Sequence, residues 1–188
     1  FLFQRKILYN ISGKPHKPED YELKSIKELK IKTSDGVDLL AWYSKPKNNQ
    51  PMLIYFHGNS FDIGERSYRI KRYINNGWGV LLLAWRGYSG NLGKPTEKNL
   101  YIDGESAIKW IIDNLNYDYE NLIIYGESLG CAVAVELGMR YKFKSIILEA
   151  PFTSVPDIAR KRYKIYPVRY LVLDKFDNYS KIDKILSP

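Results

Sequence analysis

The sequence predicts an α/β domain in which a mostly parallel sheet is covered by helices on both faces and begins with an antiparallel hairpin. Three observations carry this prediction. Four short runs, Met52–Phe56, Val80–Trp85, Leu122–Tyr125 and Ile146–Leu148, are continuously apolar, as strands are when both sheet faces are covered. Longer segments of helical spacing lie between them, and strand–helix alternation is the mark of a parallel sheet with right-handed crossovers. Ahead of the first buried run stand two segments joined by Ser34-Asp35-Gly36, which supply hairpin turn chemistry. At 188 residues, 45% of them hydrophobic, the chain is long enough for one domain with a full core.

The elements follow in order. Residues 10–22, with Pro15 and Pro18, read as an irregular lead-in. Ile26–Lys32 places Ile26, Leu29 and Ile31 among charged residues, with Leu29 slightly off period, and Val37–Ser44 returns as the second hairpin strand before Pro46 ends it. Met52–Phe56 runs into His57-Gly58-Asn59. Asp62 then starts a helix, with Glu65 at capping-box spacing. Ile63, Ile70 and Ile74 share one face of that helix, Arg66, Arg69 and Arg72 lie elsewhere, and Asn75-Asn76-Gly77 stops it. Val80–Trp85 leads to the loop Arg86-Gly87-Tyr88-Ser89-Gly90. A helix from about Thr96 to Leu115 follows, with Leu100, Ile108, Ile111 and Leu115 in phase. Leu122–Tyr125 leads to Gly126-Glu127-Ser128-Leu129-Gly130, and the helix Leu129–Tyr141 is apolar almost all round. After Ile146–Leu148, Ser154-Val155-Pro156-Asp157 has the form of an N-cap with proline in the first turn. From Lys164 to Pro188 the pattern weakens to short helices.

Composition narrows the function. The net charge of +8 arises from basic residues spread along the whole chain, which fits a solvated surface; attraction to an anionic membrane surface is the sharper alternative. No nucleic-acid motif is present, so no nucleic-acid partner is expected. Cys131 is the single cysteine, which excludes an intrachain disulfide and a multi-cysteine metal site. No metal and no cofactor is expected. A single thiol suits a reducing compartment, and a cytoplasmic or membrane-associated setting is expected over secretion. No run reaches the roughly 18 apolar residues of a spanning helix. Phe1–Tyr9 is apolar and basic, and reads either as the end of a removed membrane anchor or as an amphipathic edge packed on the domain.

Gly126-x-Ser128-x-Gly130 carries the chemistry. Lying between a buried strand and a buried helix, it has the context of a nucleophile elbow and so points to the α/β-hydrolase fold. Such a turn exposes its middle residue at the carboxyl edge of the sheet and leaves space only for glycine two before and two after. The helix dipole directs its positive end at a developing oxyanion. Ser128 is therefore the candidate nucleophile. An oxyanion hole needs two preorganised N–H donors. Leu129, directly after the nucleophile, supplies one, and Asn59, in the loop ending the earlier strand, supplies the other. Gly58 allows the close approach, His57 supports the loop structurally, and Gly126 and Gly130 support the elbow. The loop Trp85–Gly90 reads as scaffold, with Arg86 paired to a buried carboxylate.

Four ordered stretches, Phe56-His57-Gly58-Asn59, Arg86–Gly90, Gly126–Gly130 and Leu148-Glu149-Ala150-Pro151-Phe152-Thr153-Ser154, resemble the membrane-associated α/β-hydrolase-domain serine hydrolases, as does Phe3–Tyr9 at the start. The resemblance implies hydrolysis of acyl esters or thioesters, including those of lipidated proteins, and a membrane-facing location. Cys131 departs from the glycine usual in that family and is expected to crowd the elbow helix.

A serine hydroxyl needs a base, and this fold orders its residues as serine, acid, histidine. Both histidines, His16 and His57, precede Ser128. Glu149 is a candidate for orienting a histidine but reads as structural. The expectation is thus a single domain over 1–188 whose last strands, acid and base lie in roughly 60 or more further residues, with 152–188 forming part of a cap. The alternative is a non-catalytic binding module on the same fold.

Overall fold

The computed structural model describes residues 4–11, 13–47, 49–163 and 171–188, and for Arg162 the backbone alone. Its centre is a six-stranded sheet in the order β1-β2-β4-β3-β5-β6. The strands are β1 (Lys27–Lys32), β2 (Asp38–Ser44), β3 (Met52–Phe56), β4 (Gly79–Leu83), β5 (Leu122–Glu127) and β6 (Ser145–Glu149). β1 and β2 pair antiparallel, β2 pairs antiparallel with β4, and the remaining pairs are parallel. This is the α/β-hydrolase arrangement the motifs predict.

The continuous apolar runs are explained by two cores, one on each face. Met52, Ile54, Phe56, Leu81, Leu83 and Ile124 face one core; Leu53, Tyr55, Val80, Leu82 and Ile123 face the other. Successive side chains of a strand point to opposite faces, so a strand covered on both sides must be apolar throughout. The first core is covered by α3 (Glu97–Leu115) and α4 (Leu129–Arg140), whose Leu100, Ile108, Ile111 and Val133 are fully buried. The second is covered by α2 (Ser67–Asn75) through Ile70, with Ile63 ahead of it. Thr96 caps α3 by accepting Asn99 N–H at 3.1 Å.

Two local expectations change. Asp62 does cap, but onto Gly64 N–H at 2.7 Å, and it begins a 3₁₀ turn at Ile63–Arg66 from which α2 continues. That tighter turn rotates Arg66 away from the outer face, where helical spacing places it, into the interior, where its side chain is 7% exposed. The strand expected over Val80–Trp85 ends at Leu83, with Ala84 and Trp85 buried beyond the ladder.

At the start of the chain, α1 (Gln4–Leu8) leads into Tyr9, which joins the first core. Ser154 caps α5 (Val155–Arg162), accepting Asp157 N–H at 3.1 Å, and Pro156 stands in its first turn. Part of the expected 164–188 helical region, residues 164–170, lies outside the described residues; the remainder holds a short 3₁₀ turn at Ile182–Lys184. No helix among the described residues is long and apolar enough to cross a membrane.

Candidate active site

Sheet order brings the two candidate loops together. The chain goes from β3 to β4 through α2 on one face and from β4 to β5 through α3 on the other, so β4 and β5 flank β3 on opposite sides. Ligands of open α/β sheets bind at such a switch point, beyond the carboxyl ends of the strands. The register pairs Phe56 with Gly126, which sets His57-Gly58-Asn59 beside Glu127-Ser128-Leu129. Contact at that point is close: a Cβ on Gly58 would lie 3.1 Å from Glu127 Oε1 and 3.4 Å from its backbone oxygen.

Ser128 is half-buried and sits between β5 and α4 at φ 49°, ψ −107°. That backbone conformation is one L-residues avoid, and holding it costs of order 1–3 kcal/mol. The turn persists because its surroundings impose it. Ser128 N–H donates to Glu149 O at 2.9 Å, and Cys131 N–H donates to Ser128 O at 3.0 Å. A Cβ on Gly130 would fall 2.0 Å from Phe56 O, and one on Gly126 would fall 2.7 Å from the Cys131 Cα. Only glycine fits either position. Among the described residues, the Ser128 hydroxyl, the Leu129 N–H and the Asn59 N–H make no hydrogen bond to another protein group.

The side chains around the elbow are committed to one another. Glu127 accepts from Arg66 Nη2 at 2.8 Å and Nε at 3.1 Å and from Tyr55 Oη at 2.9 Å. Burial opposes its charge, but the Arg66 guanidinium prevails and holds Glu127 below the usual carboxylate range. Glu149 pairs with Arg69 and accepts from Tyr125 Oη; Arg69 holds it below the usual range too. Local spacing on helix or strand gives no signal for Arg66 or Tyr55 as elbow supports, because their partner stands more than sixty residues away.

His57 is fully buried. Its Nδ1 donates to Gly58 O at 2.7 Å, so its Nε2 is the acceptor of Trp85 N–H at 3.3 Å. Both ring nitrogens are occupied, and burial, with the nearby Arg66 charge, pushes the imidazole down to about 3. His16 is exposed in the lead-in, and no hydrogen bond joins either histidine to Ser128. The Cys131 thiol is accommodated without displacing the elbow, donating toward Gly126 O at 3.0 Å and lying 3.2 Å from Glu149 O; burial pushes it up to about 12. No cluster of metal-ligating side chains exists among the described residues.

Arg86 meets two carboxylates. It donates from N and Nε to buried Asp103, at 2.9 and 2.8 Å, and from Nη1 and Nη2 to Asp35 at 2.7 and 2.9 Å. The loop after β4 is thereby tied to α3 and to the hairpin turn. Beside Asn59 runs a mainly apolar groove of about 390 Å³, walled by Ile7, Leu8, Val155, Ile158, Ala159 and Leu171. A larger hollow of about 700 Å³, over Tyr125 and the Arg69–Glu149 pair, includes neither Ser128 nor Asn59.

Comparison with known proteins gives a consistent result. No family model matches the chain. An uncharacterized protein of Mycobacterium tuberculosis is 31% identical over 190 residues, covering 98% of this chain and 66% of that protein. Human alpha/beta hydrolase domain-containing protein 17B is 34% identical over 174 residues, covering 89% of this chain and 57% of that protein. The chain thus spans between half and two thirds of the length of these relatives. Among solved structures, an alpha-beta hydrolase from Vibrio vulnificus superposes with a TM-score of 0.73 at 21% identity, covering 87% of this chain and 61% of that one. An esterase of Pyrococcus furiosus superposes with a TM-score of 0.66 at 20% identity, covering 95% and 69%.

Proposed function

This chain belongs to the α/β hydrolases, and from that premise we propose that it is the core of a serine hydrolase that cleaves acyl esters or thioesters through an acyl-enzyme on Ser128. One observation carries the reading: a serine held at positive φ between a buried strand and a buried helix, its hydroxyl and the N–H groups of Leu129 and Asn59 making no hydrogen bond among the described residues. Backbone strain is retained where the surroundings over-determine it, and active sites are where it collects.

In the reaction, Ser128 Oγ bonds to the acyl carbon while its proton passes to a base. The carbonyl π electrons move onto oxygen, and the N–H groups of Leu129 and Asn59 receive that oxyanion. Its collapse breaks the bond to the leaving alcohol or thiol, which takes up a proton. Water then repeats the sequence on the acyl-enzyme and frees the acid. Neutral His57 has both nitrogens engaged and cannot be that base, and among the described residues no hydrogen bond joins His16 to Ser128 either. The groove beside Asn59 is apolar enough to take the acyl chain, and α5 with residues 171–174 forms one side of it, the role proposed for 152–188 as a cap. Lipidated-protein thioesters presented at an anionic membrane surface fit both this groove and the +8 charge.

A fluorophosphonate probe tests the reading. Labelling of the full-length protein at Ser128, lost in Ser128→Ala together with hydrolysis of p-nitrophenyl butyrate, is the expected result. Hydrolysis that continues equally well after Ser128→Ala refutes the reading by moving the chemistry to another group, and a protein that neither labels nor hydrolyses the ester refutes it and leaves the non-catalytic binding module.

A further inference from the structure

The N-terminal segment is bonded to the loop after β3 in a way that packing alone does not require. Arg5 grips Asp174 with both ends of its guanidinium, Nε to Oδ2 at 2.8 Å and Nη2 to Oδ1 at 3.2 Å. The Asp174 side chain is 5% exposed, and its Oδ1 also accepts the Glu97 N–H at the start of α3, at 3.1 Å. Gln4 adds a second tie, accepting Leu173 N–H at 2.9 Å and donating to Leu171 O at 3.3 Å. At the other end of the segment Tyr9 is 2% exposed in the core. The chain is therefore pinned on both sides of Leu8.

Between those pins it holds Asn59. The Asn59 Nδ2 donates to Leu8 O, and its Oδ1 accepts Asn10 N–H at 3.1 Å and Tyr88 O–H at 2.5 Å. A carbonyl can only accept and an amide N–H can only donate, so this arrangement fixes which way round the Asn59 amide lies. Every polar atom of the side chain is engaged, while the backbone N–H of the same residue makes no hydrogen bond among the described residues.

We propose that residues 4–10 are a positioning strap for the oxyanion loop, with Arg5 and Asp174 fixing the strap and the Asn59 side chain transmitting its position to the Asn59 N–H. The inference rests on Ser128 being the nucleophile. Arg5 and Asp174 touch no reacting atom; they act through Asn59. A donor fixed before charge develops stabilises the transition state without reorganisation, and a displaced donor loses that advantage while substrate binding is little affected.

The experiment uses the full-length protein with p-nitrophenyl butyrate and a trifluoromethyl ketone, which adds to a serine hydroxyl and places an anionic oxygen in the same hole. Arg5→Gln removes the grip, and Asn59→Asp keeps the shape but sets a carboxylate oxygen against Leu8 O. Each is expected to lower kcat by about 10- to 100-fold with KM within about twofold, and to weaken the ketone in parallel with kcat/KM. The double variant should be no worse than the poorer single, because both act on one link, and Arg5→Lys should recover part of kcat. Should Arg5→Gln fail to fold, Asn59→Asp with Arg5→Lys carries the same comparison. A kcat unchanged in these variants, a change confined to KM, or losses that multiply overturns the strap while Ser128-dependent hydrolysis persists. Loss of the nucleophile reading is a separate outcome, seen as full activity in Ser128→Ala, and it removes the strap as well.

Discussion

Ser128 shows how one residue can be held against its own preference. Its φ of 49° would suit glycine, and the hydroxyl is kept there by a turn too crowded to relax. Replacing it separates function from strain. Ser128→Gly removes the penalty on the backbone, whereas Ser128→Ala keeps it. We expect Ser128→Gly to be more stable than Ser128→Ala by about 1 kcal/mol, both lacking hydrolysis. Urea unfolding of the two variants measures this, and equal midpoints would mean that the elbow is not strained. Glu127, the neighbouring residue, serves the turn differently. Its carboxylate ties the elbow to Arg66 and Tyr55, and so to the second core.

Among the elements, the loop after β4 and α3 add a buried charge pair to the apolar core that β4 and α3 already share. Arg86 is 3% exposed and Asp103 is fully buried, so each is the other's solvation. Breaking such a pair leaves a charge uncompensated, whereas replacing both partners need not. Arg86→Met should cost about 3–5 kcal/mol, and Arg86→Met with Asp103→Leu should cost less than the single change. A double variant less stable than Arg86→Met would show that the pair contributes more than mutual compensation. Because Arg86 also holds Asp35 in the hairpin turn, loss of the single residue should raise hydrogen exchange at Thr33–Val37.

For the whole molecule, buried titratable groups set the response to acid. His57 falls from an ordinary 6.5 to about 3 on folding, so between those values the unfolded chain binds a proton that the folded chain refuses. That contribution is complete above pH 6.5 and is lost as pH falls toward 3, by up to about 1.4 kcal/mol per pH unit. Asp35, held low by Arg86, and Glu127, held low by Arg66 against its burial, act in the same direction but only below their unfolded values near 4. The His57 contribution should therefore lower the midpoint temperature from pH 6.5 downward, and the decline should be steeper below pH 4, where Asp35 and Glu127 add to it. His57→Gln should flatten the upper part of the decline. Burial raises the Asp103 carboxyl to about 6, which acts in the opposite direction over part of this range, so the comparison is with the variant: a His57→Gln midpoint that falls between pH 6.5 and pH 4.5 as much as the wild type does would contradict a neutral, buried His57.

Local pattern made the frame legible. β3 and β5 were readable because a strand covered on both faces is apolar throughout, and the elbow because its glycines are a local steric requirement; β6, read as equally buried, is the edge strand and is only part-buried. Leu129 and Asn59 could be named from the positions they hold relative to that turn. The sequence alone determined the fold, the order of its elements and the residue to suspect. Tertiary structure decided what surrounds that residue: Arg66 and Tyr55 on Glu127, Trp85 on the His57 ring, and Leu8 and Asn10 on the Asn59 side chain. Periodicity reports only which face of its own element a residue occupies. Those partners lie 28 to 72 residues apart: Trp85 and Glu127 meet β3 and its loop because β3 is built into the sheet between β4 and β5, and Leu8 and Asn10 meet Asn59 because Arg5 and Tyr9 hold the N-terminal segment in place.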